Sequence, residues 1–165
     1  MSITFTPIGT IHTPFSTLDG MPIQPSGARD VNGTIILEPQ YEDGLRDLDG
    51  FSHIILLYFF HLSAGYRLRV TPFLDTGERG LFATRAPRRP NPIGLSIVRL
   101  DGIDRLTLHV KDVDMADGTP LLDIKPWVPD FDIRENARAG WLEKKQGCSG
   151  SITSDRRFVE SNREK

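Results

Sequence analysis

Short apolar runs separated by turn residues dominate this chain, and long helical periods are rare. Alternation is clearest at 105–113, where Leu106, Leu108 and Val110 share one face and polar residues share the other. Because successive side chains of a strand point to opposite faces, this pattern predicts a half-buried antiparallel strand. Further strands are predicted by β-branched and apolar runs at 4–13, 34–37, 66–70, 96–100 and 121–124.

The most apolar stretch, residues 51–63, is rich in aromatic and β-branched side chains. It predicts a strand buried on both faces, with a buried helix as the competing interpretation. His53 and His61 are eight residues apart, so an unbroken strand would place both on one face. Helical structure is expected only as one or two turns at 41–48 and as a helix at 134–145. The pattern therefore predicts a mainly β, barrel-like fold with few short helices.

The length of 165 residues predicts one domain, because domains commonly have roughly 100–200 residues. We expect the barrel domain to cover residues 1–145, followed by a polar tail at 146–165. The 12 prolines interrupt the chain too often for a long helix or a coiled coil.

The single cysteine, Cys148, excludes an internal disulfide and a cysteine-based zinc site, which suits a reducing compartment. The first residues show no basic segment followed by an apolar one, so no signal peptide is predicted. The longest apolar run, 54–60, is far shorter than the ~20 residues that a membrane-spanning helix needs. These features predict a soluble, cytoplasmic protein that does not bind membranes.

Charge is unevenly distributed, although the net charge is only −2. Five arginines lie within 79–99, between acidic segments at 30–49 and 101–123. The net charge excludes a wholly basic nucleic-acid binder but leaves room for a local basic patch. The planar guanidinium suits recognition of phosphate or carboxylate groups. Pairing of these arginines with the acidic segments explains the pattern equally well.

The segment 82–96, FATRAPRRPNPIGLS, is the sharpest motif of the sequence. Three prolines within six residues fix φ and keep the preceding residues out of the helical region. A stiff, extended backbone holds Arg85, Arg88, Arg89 and Asn91 in set directions, which lowers the entropy lost when an anion or nucleotide binds. A proline-rich surface loop is the alternative, and the apolar strand residues that follow disfavour it.

Two further features concern Asp117 and His61. The Asp117–Gly118 dipeptide predicts a tight turn, which either holds a ligand or simply joins two strands of a hairpin. The acidic residues around it lack the glycine and the closing glutamate of a calcium loop, so we expect no metal site. His61 ends the apolar stretch, where it is either a structural residue or a proton-transfer group near neutral pH.

Signatures of a dinucleotide-binding Rossmann fold, of a P-loop and of the common serine and zinc hydrolases are missing from the sequence. The residues by themselves thus indicate a β-rich domain with a rigid Arg/Pro loop and leave the reaction open.

Three segments, FSHIILLYFFHLS, GLFATRAPRRPNPIGLSIV and DGTPLLDIKPWVP, together resemble the TsaA-like (YaeB, TrmO) family, as does the opening FTPIGTIHTPF. The resemblance covers about residues 3–130. It implies a β-barrel methyltransferase that forms homodimers and uses S-adenosylmethionine. It also implies a substrate, because the studied members methylate N6-threonylcarbamoyladenosine beside the tRNA anticodon.

The family's motifs can be transferred residue by residue. They imply cofactor contacts at Pro22, Ile23, Gln24, His61, Leu62, Arg85, Leu95, Asp117, Gly118, Thr119 and Pro120. Ile23 stands where the family often has Arg. His61 and Asp117 are the candidate proton acceptors in catalysis. Arg88, Arg89 and Asn91 are expected to contact the anticodon loop of tRNA or to shape the pocket.

The expected function is therefore methylation of N6-threonylcarbamoyladenosine in tRNA. Two alternatives remain, because the better-known bacterial members carry an additional C-terminal domain that would enlarge the RNA-facing surface. One is methylation of a small molecule or of another RNA. The other is a binding module for the cofactor or for RNA that performs no catalysis.

Overall fold

Six antiparallel strands close into a barrel in this computed structural model, which describes residues 2–22, 27–145 and 154. The barrel strands are β1 (Gly9–His12), β2 (Asn32–Leu37), β3 (His53–Phe59), β6 (Ile93–Asp104), β7 (Thr107–Lys111) and β8 (Thr119–Pro126). Their order around the barrel is β1-β2-β7-β6-β3-β8, and β8 returns to pair with β1. A separate two-stranded sheet contains β4 (Arg69–Val70) and β5 (Arg79–Gly80). The predicted mainly β, barrel-like fold is confirmed.

The hydrophobic core fills the barrel interior with aliphatic side chains from every barrel strand. A barrel of this size has room only for side chains inside, so alternate residues of each strand are buried. The largest fully buried residues of the core cluster are Ile11, Ile35, Ile54, Leu56, Val98, Leu108, Val110, Val113 and Leu121. The predicted alternation at 105–113 is confirmed in β7, where Leu108 and Val110 point inward.

Strand β3 corrects the prediction that residues 51–63 form a strand buried on both faces. Ile54, Leu56 and Tyr58 are buried inside the barrel, whereas Ile55 and Leu57 are only half-buried on its outer face. The barrel is closed by strands alone, and within residues 2–22 and 27–145 no helix layer covers the apolar outer residues of β3. The competing helix interpretation is also wrong, since β3 pairs with β6 and β8 along its length.

Several predicted strands are shorter in the structure. The strand expected at 4–13 begins only at Gly9, and the one expected at 66–70 is limited to Arg69–Val70. The strand expected at 105–113 begins at Thr107, because Arg105 has φ +52° and forms the turn from β6. β3 ends at Phe59, so His61 lies in a turn and the argument that placed it on the face of His53 does not apply.

The helix predicted at 134–145 is wrong. Residues 134–139 have no regular structure, and a 3-10 helix spans Gly140–Lys145. Asn136 and Gly140 have φ of +59° and +60°, and a left-handed residue interrupts a right-handed helix. Within the described residues, the α-helical segment is Pro129–Asp132. The turns expected at 41–48 are 3-10 helices at Pro39–Leu45 and Leu48–Gly50, interrupted at Asp47, which has φ +65°.

Three connections lie at the same end of the barrel, and we call this end the site rim. In a closed antiparallel barrel the strands alternate in direction, so the ends of β1, β3 and β7 meet the beginnings of β2, β6 and β8. Among the described residues, the site rim therefore carries 13–22, 27–31, 60–92 and 112–118. The opposite end carries residues 38–52, the two-residue turn after β6, and the start of the chain after β8, where the Trp127 amide donates to the His53 carbonyl oxygen.

Candidate functional site

The site rim brings together most of the residues that the sequence motifs single out. Pro22 lies on the connection after β1, His61 and Leu62 lie directly after β3, and Arg85 to Asn91 precede β6. The Asp117–Pro120 turn begins β8. Residues separated by up to about 100 positions thus lie at one end of the barrel because the topology is antiparallel and closed. Ile23 and Gln24 lie outside the described residues.

The Arg/Pro segment is fixed by its own arginines. The Arg89 guanidinium donates through Nη1 to the carbonyl oxygens of Thr84, Ala86 and Leu81, at 3.0, 3.4 and 3.5 Å. Arg88 donates through Nε to the carbonyl oxygen of Ala64 at 3.1 Å, which connects this segment to the turn after β3. Both side chains therefore shape the loop that presents Arg85. The Arg89 guanidinium also lies 5.8 Å from the ring centre of Phe82, whose side chain is largely exposed.

Asp117 holds the DGTP turn against the end of β1. Its carboxylate accepts from the Thr13 amide at 3.0 Å and lies 3.1 Å from Nδ1 of His12. The amide of Thr13, followed by the neighbouring His12, holds the pKa of this carboxyl below its usual range. The hydroxyl of Thr119 donates to the carbonyl oxygen of Ala116 at 2.7 Å. A carboxylate with a lowered pKa is a weak proton acceptor, so these contacts favour a role for Asp117 in shaping the turn.

A second polar cluster lies in the barrel mouth, where apolar side chains would be expected. The hydroxyl groups of Tyr58 and Ser96 are 3.0 Å apart, and Ser96 donates to the Asp114 carboxylate at 2.6 Å. Tyr58 and Ser96 are buried, and Asp114 is partly buried. We call these three residues the mouth network. Gly94 makes it possible, because the Tyr58 ring occupies the space where any Cβ at position 94 would lie.

Burial has a large effect on the ionisable groups of the mouth network. It raises the pKa of Asp114 to about 6, against the lowering effects of the Ser96 hydroxyl and of the nearby Arg85 charge. Burial and the Asp114 charge together raise the pKa of Tyr58, so the phenol stays protonated at neutral pH. This raised pKa, together with the fixed position of the carboxyl group, makes Asp114 a candidate acid–base group.

Sequence reasoning did not assign Asp114, Ser96 or Tyr58 to the site. β7 ends at Lys111, opposite Arg99 of β6, so the first half of β6 extends beyond β7. The segment after β7 crosses this extension, and Asp114 reaches Ser96 there. The available signal was a serine at an inward position of an otherwise apolar strand, because buried polar groups need partners.

The remaining candidates occupy different surroundings. Arg85 is exposed at the rim, and its charge acts on both Asp114 and Tyr58. The His61 ring is half-buried and has no hydrogen-bond partner among residues 2–22, 27–145 and 154, so it is available to a ligand. Leu95 lies on the outer face of β6, between the inward-pointing Gly94 and Ser96. The structure therefore separates Leu95 from the mouth network by the thickness of the sheet.

The end of the chain reaches the same rim through Ser154. Ser154 exchanges backbone hydrogen bonds with Gly20 and Met21, and its hydroxyl contacts the Met21 amide and the Leu18 carbonyl oxygen. This contact lies next to Pro22, where the expected cofactor segment begins. Cys148 and the rest of the expected tail lie outside the described residues, and the domain boundary at residue 145 stays a prediction.

In the described part of the chain, no group of three or more His, Cys, Asp or Glu side chains is placed to hold a metal ion. None of the helices described is long and apolar enough to cross a membrane.

Comparison with known proteins identifies the family. The family model of the tRNA-methyltransferase O N-terminal domain matches residues 10–133. A probable S-adenosyl-L-methionine-binding protein of Pyrococcus abyssi is 49% identical, over 98% of this chain and 88% of that protein. The tRNA (adenine(37)-N6)-methyltransferase of Escherichia coli is 36% identical, over 92% of this chain and 69% of that protein.

A solved structure agrees with these matches. The crystal structure of TrmO from Pseudomonas aeruginosa superposes with a TM-score of 0.73 and 38% identity, covering 86% of this chain. The aligned region spans 63% of that longer chain. On the evidence of the family match, which includes five of the six barrel strands and the turns of the site rim, this chain belongs to the tRNA-methyltransferase O N-terminal domain family.

Proposed function

We propose that this protein is an S-adenosylmethionine-dependent methyltransferase that acts on N6-threonylcarbamoyladenosine of tRNA, next to the anticodon. The observation that carries the proposal is the similarity to the Escherichia coli tRNA (adenine(37)-N6)-methyltransferase over 92% of this chain, which includes every candidate residue of the site rim. Acting on tRNA, the protein would work in the cytoplasm.

The site rim offers groups that suit the cofactor's chemistry. S-adenosylmethionine supplies an electrophilic methyl group on a positively charged sulfur and carries a carboxylate. The exposed Arg85 guanidinium suits that carboxylate. The Asp117–Pro120 turn and His61 would position the cofactor and the acceptor, because alignment of donor and acceptor supplies much of the rate enhancement in group transfer.

Transfer of a labelled methyl group to defined tRNAs tests the proposal. We expect incorporation into tRNA that carries threonylcarbamoyladenosine and none into an unmodified transcript of the same sequence. Digestion to nucleosides should give methylated threonylcarbamoyladenosine. Cofactor binding without transfer to any tRNA would instead support a binding module or a small-molecule methyltransferase. The name of the Pyrococcus abyssi relative, a probable S-adenosyl-L-methionine-binding protein, keeps the first alternative open.

We expect the substitution Arg85→Ala to weaken S-adenosylmethionine binding by about 10- to 100-fold. A hydrogen bond to a charged group contributes about 1.5–3 kcal/mol, and each 1.4 kcal/mol is a factor of ten. Isothermal titration calorimetry measures this change directly. Arg46→Ala is the matched control, because Arg46 is an exposed arginine at the opposite end of the barrel. Unchanged affinity in Arg85→Ala would remove this residue from the cofactor site.

We further propose a homodimer formed through the outer face of β3 and β6. Three cross-strand pairs, Ile55–Ile97, Leu57–Leu95 and Phe59–Ile93, place six apolar side chains side by side on this face. Phe59, Leu95 and Ile97 are 38%, 46% and 37% exposed. A continuous apolar patch on a sheet face is typical of an interface. An isologous dimer would cover the patch on both copies at once, because two-fold symmetry makes each patch its own partner.

Light scattering after size-exclusion chromatography tests the dimer. The wild-type protein should have about twice the chain mass of 18.5 kDa, and Ile97→Glu should give the mass of a single chain. Ile36→Glu is the control, because Ile36 is also an exposed isoleucine, on the outer face of β2 and away from the patch. A wild-type mass near 18.5 kDa would contradict the proposal.

A further inference from the structure

The mouth network is a polar cluster that the transferred motifs leave without a role. Asp114 is anchored by the Ser96 hydroxyl at 2.6 Å, and Ser96 in turn lies 3.0 Å from the Tyr58 hydroxyl. Burying three polar groups at the mouth of an apolar barrel costs free energy, and a packed core needs none of them. Such an arrangement is expected where a group must be held in one orientation for chemistry.

The network is also built into the barrel by its neighbours. Tyr58 and Gly94 are register partners of β3 and β6, and the Tyr58 ring lies directly on Gly94. The Phe60 ring packs edge-on against the Tyr58 ring, with 5.4 Å between the two ring centres. The phenol therefore has little freedom to move away from Ser96, and Ser96 holds the carboxylate. Strands β3 and β6 thus together fix the position of Asp114.

We propose that Asp114 is the catalytic proton acceptor of the methyl transfer, with Ser96 and Tyr58 as its positioning residues; this inference rests on the proposed function. The acceptor N6 is conjugated to the carbamoyl group and is a weak nucleophile while it carries its proton. As N6 forms its bond to the methyl carbon, the carbon–sulfur bond breaks and its electron pair stays on sulfur, which becomes a neutral thioether. The N6 proton passes to the Asp114 carboxylate, so charge and atoms balance.

The alternatives at the site rim fit this role less well. Asp117 is held by the Thr13 amide and by His12, and these contacts lower its pKa. His61 lacks a second group that orients its ring, since no described residue hydrogen-bonds to it. Asp114 has both a fixed orientation and a pKa raised to about 6, and proton transfer is most efficient when the pKa is near the working pH.

The groups that face Asp114 determine its pH response. Burial raises its pKa, whereas the Ser96 hydroxyl on β6 and the Arg85 charge on the loop before β6 lower it. Tyr58 on β3 stays neutral at physiological pH and contributes no charge. The carboxylate form is therefore present above pH of about 6, and kcat/KM should fall as the pH decreases through that value. Because the Ser96 hydroxyl lowers the pKa of Asp114, removing it should shift the fall in kcat/KM to higher pH.

The main experiment compares Asp114→Asn with Asp112→Asn in methyl transfer to tRNA carrying threonylcarbamoyladenosine. Asp112 is the matched control, because it lies only two residues from Asp114. Its side chain accepts a hydrogen bond from the Asp30 amide, and its own φ is +70°. Asparagine can accept the same hydrogen bond and tolerates this φ. We expect Asp114→Asn to lose about 100-fold or more in kcat/KM, because general base catalysis contributes roughly 10²–10⁴-fold. Cofactor affinity by calorimetry should stay within about threefold, which separates proton transfer from binding.

A second measurement does not depend on turnover. Carboxyl-carbon NMR of the protein should show one aspartate titrating at about pH 6, absent in Asp114→Asn and shifted to higher pH in Ser96→Ala. In Ser96→Ala, the pH at which kcat/KM falls should shift in the same direction. A purely structural role for the network would lower activity without moving the pH dependence of kcat/KM.

The outcomes separate the two proposals. A wild-type protein that transfers no methyl group to modified tRNA overturns the proposed function and this inference with it. An active wild type together with an Asp114→Asn protein that retains its kcat/KM within about threefold overturns the inference alone. The inference is also overturned if Ser96→Ala leaves the pH profile unchanged.

Discussion

Gly94→Ala should destabilise the protein by about 3 kcal/mol and disrupt the mouth network. A Cβ at position 94 would lie 2.2 Å from Cε2 and 2.5 Å from Cζ of Tyr58, whereas carbon atoms in contact are about 3.5–4.0 Å apart. The ring has little room to move, because Tyr58 is only 4% exposed and Phe60 packs against it. Overpacking a core usually costs about 1–3 kcal/mol, and a clash this short belongs at the upper end.

Chemical unfolding measures the free energy of unfolding of Gly94→Ala, and Gly102→Ala in the same strand is the control. Both glycines belong to β6, and a Cβ at Gly102 would meet no atom within 4 Å. We expect Gly102→Ala to change the free energy of unfolding by less than about 0.5 kcal/mol. Equal unfolding midpoints for the two variants would show that the Tyr58 ring does not lie against Gly94.

Leu56→Ala should lower the free energy of unfolding by about 3 kcal/mol. Leu56 is fully buried on the inner face of β3, the strand that pairs with both β6 and β8. Leucine-to-alanine substitutions in a core cost about 2–5 kcal/mol, because the lost transfer free energy and the remaining cavity add. Thermal unfolding should show a decrease in Tm of roughly 6–12 °C for a protein of this size.

Leu57→Ala is the matched control, since it removes the same atoms one residue further along. Leu57 is half-buried on the outer face of β3, so its truncation leaves no enclosed cavity. We expect a loss of about 1 kcal/mol, with both variants measured in the Ile97→Glu background so that association does not contribute. Comparable losses at the two positions would mean that β3 is buried on both faces, as its composition suggested.

Local patterns predicted the strands where one face is buried and the other is polar. β7 is the clearest case, because its alternation reports directly which side faces the core. The pattern failed for β3, whose outer residues are apolar although no element in the described part of the chain buries them fully. It failed again at 134–145, where the left-handed residues Asn136 and Gly140 prevent the helix that the composition favoured.

The candidate site was predicted in part. The prolines around Arg85 and the Asp117–Gly118 turn carry local signals, because their backbone constraints are visible in the sequence. Arg89 shows the limit of such signals, since its Nη1 group donates to carbonyl groups of its own loop. Asp114 had no signal of its own, because its importance depends on Ser96 and Tyr58, which are 18 and 56 positions away.

The sequence by itself determined the β-rich class, the rigid Arg/Pro loop and the family resemblance, because these depend on residue types and spacings within short segments. The tertiary structure alone decided which end of the barrel collects the loops, which face of β3 is the core, and that burial raises the pKa of Asp114. Burial, register and partner distance determine these properties. Each of them is created only when strands far apart in the chain pair with one another.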